Sequence, residues 1–175
     1  VSRALPLVYA NVVAEQIGIA PDKELKERVQ KAIDRVFEMQ DSTGAFGVWG
    51  PTDVDLWLTA YVTDFLTRAK EAGYTIRPVP LGLALDRLQN FVANAQDNSS
   101  SAESRAYALY VLARNGRAPV GELRYFADEK LDQFQTVLSK AQLGAALSML
   151  GDKPRAERVF KAALDGVNET APVVV

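Results

Sequence analysis

Three aspartates and four aromatic side chains crowd one short stretch of the chain and are the first candidates for chemistry. Asp53, Asp55 and Asp64 supply carboxylates of the kind that pair as acid and base in glycoside cleavage, or that ligate a divalent cation through oxygen. The same residues at a helix start also have a plainer use, as N-terminal caps favoured by the macrodipole, with Asp64 facing solvent. No second carboxylate cluster completes a site, which favours the capping role. Phe46, Trp49, Trp57 and Tyr61 are interleaved with these acids, and such rings stack on a sugar or fill a core.

Composition narrows the chemistry further. The chain has neither cysteine nor histidine. A disulfide, a thiolate metal site, a cysteine nucleophile and a Ser-His-Asp triad are therefore excluded within these residues. No metal site or cofactor is expected, and any metal ligation would be all-oxygen. With 20 basic and 22 acidic residues and no basic block, an electrostatic case for nucleic acid or an anionic membrane is lacking. No apolar run approaches the ~18 residues that a spanning helix requires. A secreted parent would carry its signal upstream of this segment. At 175 residues and 48% hydrophobic content, the chain suits one domain with a sizeable core.

The elements that must position these side chains read as helices, because apolar residues recur with a period near 3.6 and no alternating strand pattern stands out. Helix one is expected from about Ser2 to Ile17, stopped by Gly18. Pro21 and Asp22 open a second helix with Leu25, Val29, Ala32, Ile33, Val36 and Phe37 along one stripe. The turn Gly44-Ala45-Phe46-Gly47-Val48-Trp49-Gly50 follows. Three glycines allow a tight, backbone-dominated turn whose rings must pack on something. Helix three spans roughly Asp53 to Ala72, capped by Asp53 or Thr52 and ended by Gly73. Pro78 and Pro80 introduce helix four, with Leu81, Leu85, Leu88 and Val92 inward. Ser100 and Glu103 make a capping box for helix five. Helix six runs from Pro119 to about Phe134, helix seven from Thr136 to Leu150, and helix eight ends at Gly166. Eight helices would pair as four hairpins over 1–166, with 167–175 an exit linker or strand.

A weak repeat joins the last hairpins. The run from Ala106 to Gly116 echoes that from Gln142 to Asp152, with Leu143 standing 36 residues after Tyr107. Helical hairpins recurring at such a period indicate a toroid or a solenoid. Leu143, Gly144, Leu147, Gly151, Ala156, Phe160 and Ala163 also match tetratricopeptide spacing, which encodes close packing of two helices. A tetratricopeptide-like scaffold for protein–protein interaction and a toroid-fold carbohydrate-active enzyme are the two readings that these features keep open.

The string Gly-x-Phe-x-x-Trp-Gly, followed by Leu58-Thr59-Ala60-Tyr61-Val62, resembles the thioester domain of bacterial α2-macroglobulins. The start of the chain, Val1-Ser2-Arg3-Ala4-Leu5-Pro6-Leu7, looks like the run that follows the Cys-x-Glu-Gln motif in that family. Val13-Ala14-Glu15-Gln16 has the Glu-Gln spacing, but valine holds the thiol position and cannot form a thioester. The motif itself is thus expected just before Val1.

This resemblance implies an all-α fold, an α/α toroid forming an incomplete ring of about four helical hairpins. It implies part of a broad-spectrum protease inhibitor of bacterial defence, not an enzyme, which traps proteases and acylates them through the thioester. Ser2, Arg3, Pro6, Phe46, Trp49 and Tyr61 would then lie near the reactive centre or shield it. The implied partners are endopeptidases met by the full-length protein and neighbouring domains of the parent, with no nucleic acid and no direct membrane contact. The implied location is the periplasm, with the parent lipid-anchored to the inner membrane.

Overall fold

The computed structural model describes residues 1–20, 22–47, 50, 55–94 and 101–170, with the side chains of 11, 15 and 166–170 left aside. It holds nine α-helices among the described residues: α1 (Leu5–Val8), α2 (Ala10–Gln16), α3 (Lys23–Phe37), α4 (Leu56–Glu71), α5 (Pro78–Asn94), α6 (Ala102–Arg114), α7 (Val120–Glu129), α8 (Val137–Met149) and α9 (Lys153–Thr170). Gln40 and Phe46 form an isolated antiparallel bridge. The fold is all-α, and it divides into two compact units, Val1–Arg87 and Leu88–Val175.

In the first unit, α1 packs against α3 and α4. The expected first helix is broken in two at Tyr9, whose N–H turns to the Leu7 carbonyl instead of continuing the i−4 ladder. Asp22 caps α3 by accepting the Leu25 N–H at 3.1 Å. The stripe of α3 is buried at Val29, Ile33 and Phe37. The α4 cap is Asp55, which accepts the Leu58 N–H at 2.6 Å, so the helix starts later than the Asp53 or Thr52 cap would place it. Asp53 and Thr52 lie outside the described residues. Gly73 ends α4 at φ +84°, and the Tyr74 N–H reaches back to the Ala69 carbonyl at 3.0 Å.

The second unit is built around α8, which packs on both α6 and α9. The repeat between α6 and α8 is real, but its register is one residue shorter than the side-chain echo suggests. Gly116 and Gly151 both adopt left-handed φ, +69° and +79°. The N–H of Arg117 bonds the Leu112 carbonyl at 2.8 Å, and that of Asp152 bonds the Leu147 carbonyl at 3.0 Å. The equivalent pair is therefore Leu112 and Leu147, fixed by the same C-terminal turn. Tetratricopeptide spacing proves to be hairpin packing. A Cβ on Gly144 would stand 2.9 Å from the Phe160 ring, so the glycine lets that ring rest directly on α8.

Other boundaries move. Helix α6 has Ser101 as its N-cap, with no side-chain capping bond, and Glu103 instead accepts the Thr136 hydroxyl at 2.7 Å. Ser100 of the expected capping box lies outside the described residues. Helix α7 stops at Glu129, and a 3-10 turn over Leu131–Gln133 delivers Phe134 edge-on to Phe126 at 5.7 Å. Helix α9 continues to Thr170, past the expected end at Gly166.

Candidate functional site

The glycine-aromatic turn is held in place by four devices, all within the first unit. Gly44 has φ +90°, and a Cβ there would fall 2.2 Å from the Leu83 carbonyl oxygen, so the turn lies directly on the backbone of α5. The Gln40 amide bridges the same two segments, donating to the carbonyls of Gly44 at 3.0 Å and Pro80 at 2.9 Å. Asp41 folds the turn on itself. Its carboxylate accepts the N–H groups of Thr43 at 2.8 Å and Ala45 at 2.9 Å, and the Thr43 hydroxyl at 2.8 Å. Burial pushes the Asp41 carboxyl up, but these hydrogen bonds and the nearby Arg87 charge outweigh it and hold the group below its ordinary value. Finally, the Phe46 N–H donates to the Thr59 hydroxyl of α4 at 3.1 Å.

These devices set Phe46, which is 1% exposed, into the wall of a cavity of about 270 Å³. Burying one such ring contributes about 1.5–3 kcal/mol of hydrophobic stabilisation. Val1 and Ser2 form another part of the wall, with Val36 and Met39 from the end of α3 and Leu58, Tyr61 and Val62 from α4. The lining side chains are apolar except for Ser2 and Tyr61, whose phenol donates to Ser2 Oγ at 3.2 Å. Trp57 is half-exposed and stacks on Tyr61 with ring centres 5.3 Å apart. Of the six side chains singled out in sequence, Ser2, Phe46 and Tyr61 meet on this cavity. Arg3 and Pro6 are exposed and are not among its lining residues, and Trp49 lies outside the described residues.

Asp55 and Asp64 are each engaged within α4, and Asp53 lies outside the described residues. Asp55 is a helix cap, and Asp64 is not solvated as the capping reading had it. Asp64 is 3% exposed and takes the Arg68 Nε on both carboxylate oxygens, at 3.0 and 2.9 Å, one helical turn on. No group of three carboxylate, histidine or cysteine side chains suited to a metal occurs among the described residues. Nor is any described helix long and apolar enough to cross a membrane.

No protein-family model matches the chain. Among curated proteins, it is 35% identical over 176 residues to alpha-2-macroglobulin of Escherichia coli K12, covering 93% of this chain and 11% of that protein. The chain is homologous to a segment of the bacterial alpha-2-macroglobulins. Solved structures of the family agree in fold. Trypsin-activated alpha-2-macroglobulin from Escherichia coli superposes with a TM-score of 0.80 at 32% identity, over 93% of this chain and 12% of that one. Salmonella alpha-2-macroglobulin reacted with methylamine gives 0.77 at 33% identity, over 93% and 11%. The chain spans about a tenth of the length of the curated relatives that it matches.

The polar contacts that hold Phe46 are less legible in the sequence than the ring itself. Asp41-x-Thr43-Gly44 carries the signature of an aspartate folding its own turn, and that signal was present to be read. Thr59, Thr63 and Thr67 recur every fourth residue and are all buried, each hydroxyl bonding the carbonyl one turn back at 2.7 Å. The tie from Gln40 to Pro80 has no local marker, because the two are 40 residues apart in sequence.

Proposed function

We propose that the chain is the segment directly downstream of the thioester in a bacterial alpha-2-macroglobulin that traps proteases, and that its cavity shelters the reactive bond. The observation that carries this reading is the meeting of Ser2, Phe46, Gly47 and Tyr61 on one apolar cavity at the beginning of the chain, where the family resemblance expects the motif to end. The trypsin-activated and methylamine-reacted states of its homologues support a protease partner and an amine-reactive centre in the parent. On this reading the helices belong to an incomplete α/α toroid. The parent is an inhibitor without turnover, periplasmic and lipid-anchored to the inner membrane.

The chemistry is acyl transfer. A protease cleaves a bait segment elsewhere, and the parent rearranges to expose the thioester. An amine nitrogen on the protease attacks the acyl carbon of the glutamine side chain. The C–N bond forms, the C–S bond breaks, the cysteine leaves as thiolate, and the amine's surplus proton passes to solvent or to the thiolate. An apolar cover keeps water from competing before activation. Amines are the acceptors on this reading, as the methylamine-reacted homologue supports.

Intact mass of the full-length protein tests this. The native protein should be lighter by one ammonia than its sequence requires, and methylamine should restore that mass with a methyl added. A native mass equal to the sequence mass overturns the reading.

A further inference from the structure

We infer that Thr59 is a positioning residue that sets how often water reaches the thioester, by pinning the backbone of Phe46. The inference rests on the shelter assigned to the cavity above. A threonine hydroxyl has one proton, and Thr59 commits it to the Asp55 carbonyl at 2.7 Å. Its lone pairs are left to receive the Phe46 N–H at 3.1 Å. On the other side of the same residue, the Asp55 N–H points at the Phe46 carbonyl at 3.4 Å. One turn of α4 thus brackets the backbone of the residue whose ring forms the cavity wall.

Side-chain packing alone would not give this register. Thr59 is fully buried, so neither the hydroxyl nor the Phe46 N–H has water to fall back on. Detaching the turn leaves a buried donor unpaired, which makes the closed position strongly preferred. The link also ties the turn to the helix that carries Tyr61, two residues further on, whose phenol holds Ser2. Any motion that displaces the first turn of α4 therefore moves the cover and the hydroxyl clamp together.

The test uses the full-length protein carrying the upstream motif, with Thr59→Val and Thr59→Ser. Valine keeps the shape and removes the acceptor, whereas serine keeps the hydroxyl. Two rates are read: hydrolysis of the ammonia-deficient species by intact mass, and amide exchange of the peptide containing Gly44–Gly47. Loss of one buried hydrogen bond should raise both about tenfold in the valine variant, and serine should stay within about twofold of the native protein. Faster exchange with unchanged hydrolysis overturns the inference, and so does equal behaviour of valine and serine. If valine does not fold, Thr59→Ala, which adds no bulk, is held to the same outcomes. Absence of the ammonia deficit in the native protein is a different failure. It overturns the thioester reading itself, whereas a native deficit that Thr59→Val does not shorten overturns only the role of Thr59.

Discussion

The glycine-aromatic turn of the first unit and the α8–α9 hairpin of the second both depend on a glycine that admits a neighbour at very short range. What surrounds each glycine differs in kind. At Gly44 the neighbour is the backbone of α5, and the turn is fastened by polar side chains from Gln40, Asp41 and Thr59. At Gly144 the neighbour is the ring of Phe160, itself 36% exposed, and α8 and α9 meet through apolar residues at Leu143, Leu147, Ala156 and Ala163. A ring can swing away from an intruding methyl group, but a helix backbone cannot. The polar region is thus rigid and exacting, and the apolar one is tolerant.

Gly44→Ala should have the largest effect. The added Cβ would need the Leu83 carbonyl to move from 2.2 Å, and alanine is also disfavoured at φ +90°. A loss of more than about 3 kcal/mol is expected, read as a lower urea midpoint and as faster exchange in peptides covering 33–47. A midpoint equal to that of the native protein would mean that the turn does not lie on α5. Gly144→Ala is the matched experiment and should cost about 1 kcal/mol, because alanine's helix preference of roughly 1 kcal/mol offsets part of the clash. Made in a Phe160→Ala background, the same change should become stabilising. Additivity of the two substitutions would show that the ring and the glycine are not in contact.

Legibility in the sequence divides along the same line. Apolar periodicity and glycine stops are local, so the helices of both units, the ends at Gly73, Gly116 and Gly151, and the close packing around Gly144 were all readable. The burial of Phe46 is readable too, since an aromatic between glycines must find an apolar partner. Tertiary polar contacts were not. Asp64 looks like a surface acid until Arg68 and burial are considered together, and the helix break at Tyr9 has no marker in the pattern. The small-residue echo points to an offset one residue too long, because alanines on successive turns align almost equally well in neighbouring registers. The left-handed glycine, not the small residues, fixes it.

Acid titration sharpens the contrast from another side. The Asp41 carboxyl is more acidic in the folded protein than its ordinary value of 3.8, so the unfolded chain binds more protons between those two values. Its contribution to stability is complete above the ordinary value and is lost as pH falls through the folded one. Asp41→Asn should therefore lower stability at neutral pH and flatten its fall below pH 4, as followed by urea midpoints across that range. An unchanged slope would mean that the carboxylate charge contributes nothing and that its hydrogen bonds serve as neutral ones.

The smallest effect on stability is expected at the ion network between α7 and α9. Arg155 sits between two acids, with its Nε 2.9 Å from Asp128 and a terminal nitrogen 3.0 Å from Asp152, and Arg158 also bonds Asp128. Hydrogen bonds from Arg155 and then Arg158 bring the Asp128 carboxyl down to about 2. Except for Asp152, whose side chain is 10% exposed, these groups are partly open to solvent, where salt screens their attraction and where holding long side chains in place offsets much of the gain. Arg155→Ala should accordingly leave the unfolding midpoint close to native in high salt. The same substitution should still raise the Asp128 pKa toward 3.8, measured by carboxyl chemical shift, and so move the pH window in which the network favours folding. That contribution is full above the ordinary carboxylate value and disappears as pH falls through about 2 in the native protein, but at a higher pH in the variant. If Asp128 still titrates near 2 without Arg155, then Arg158 alone holds it, and the bridge from α7 to the first turn of α9 plays no part. A large drop in stability in high salt would instead place this exposed network beside Gly44 among the exacting contacts, and the contrast between a rigid polar turn and a tolerant hairpin would fail.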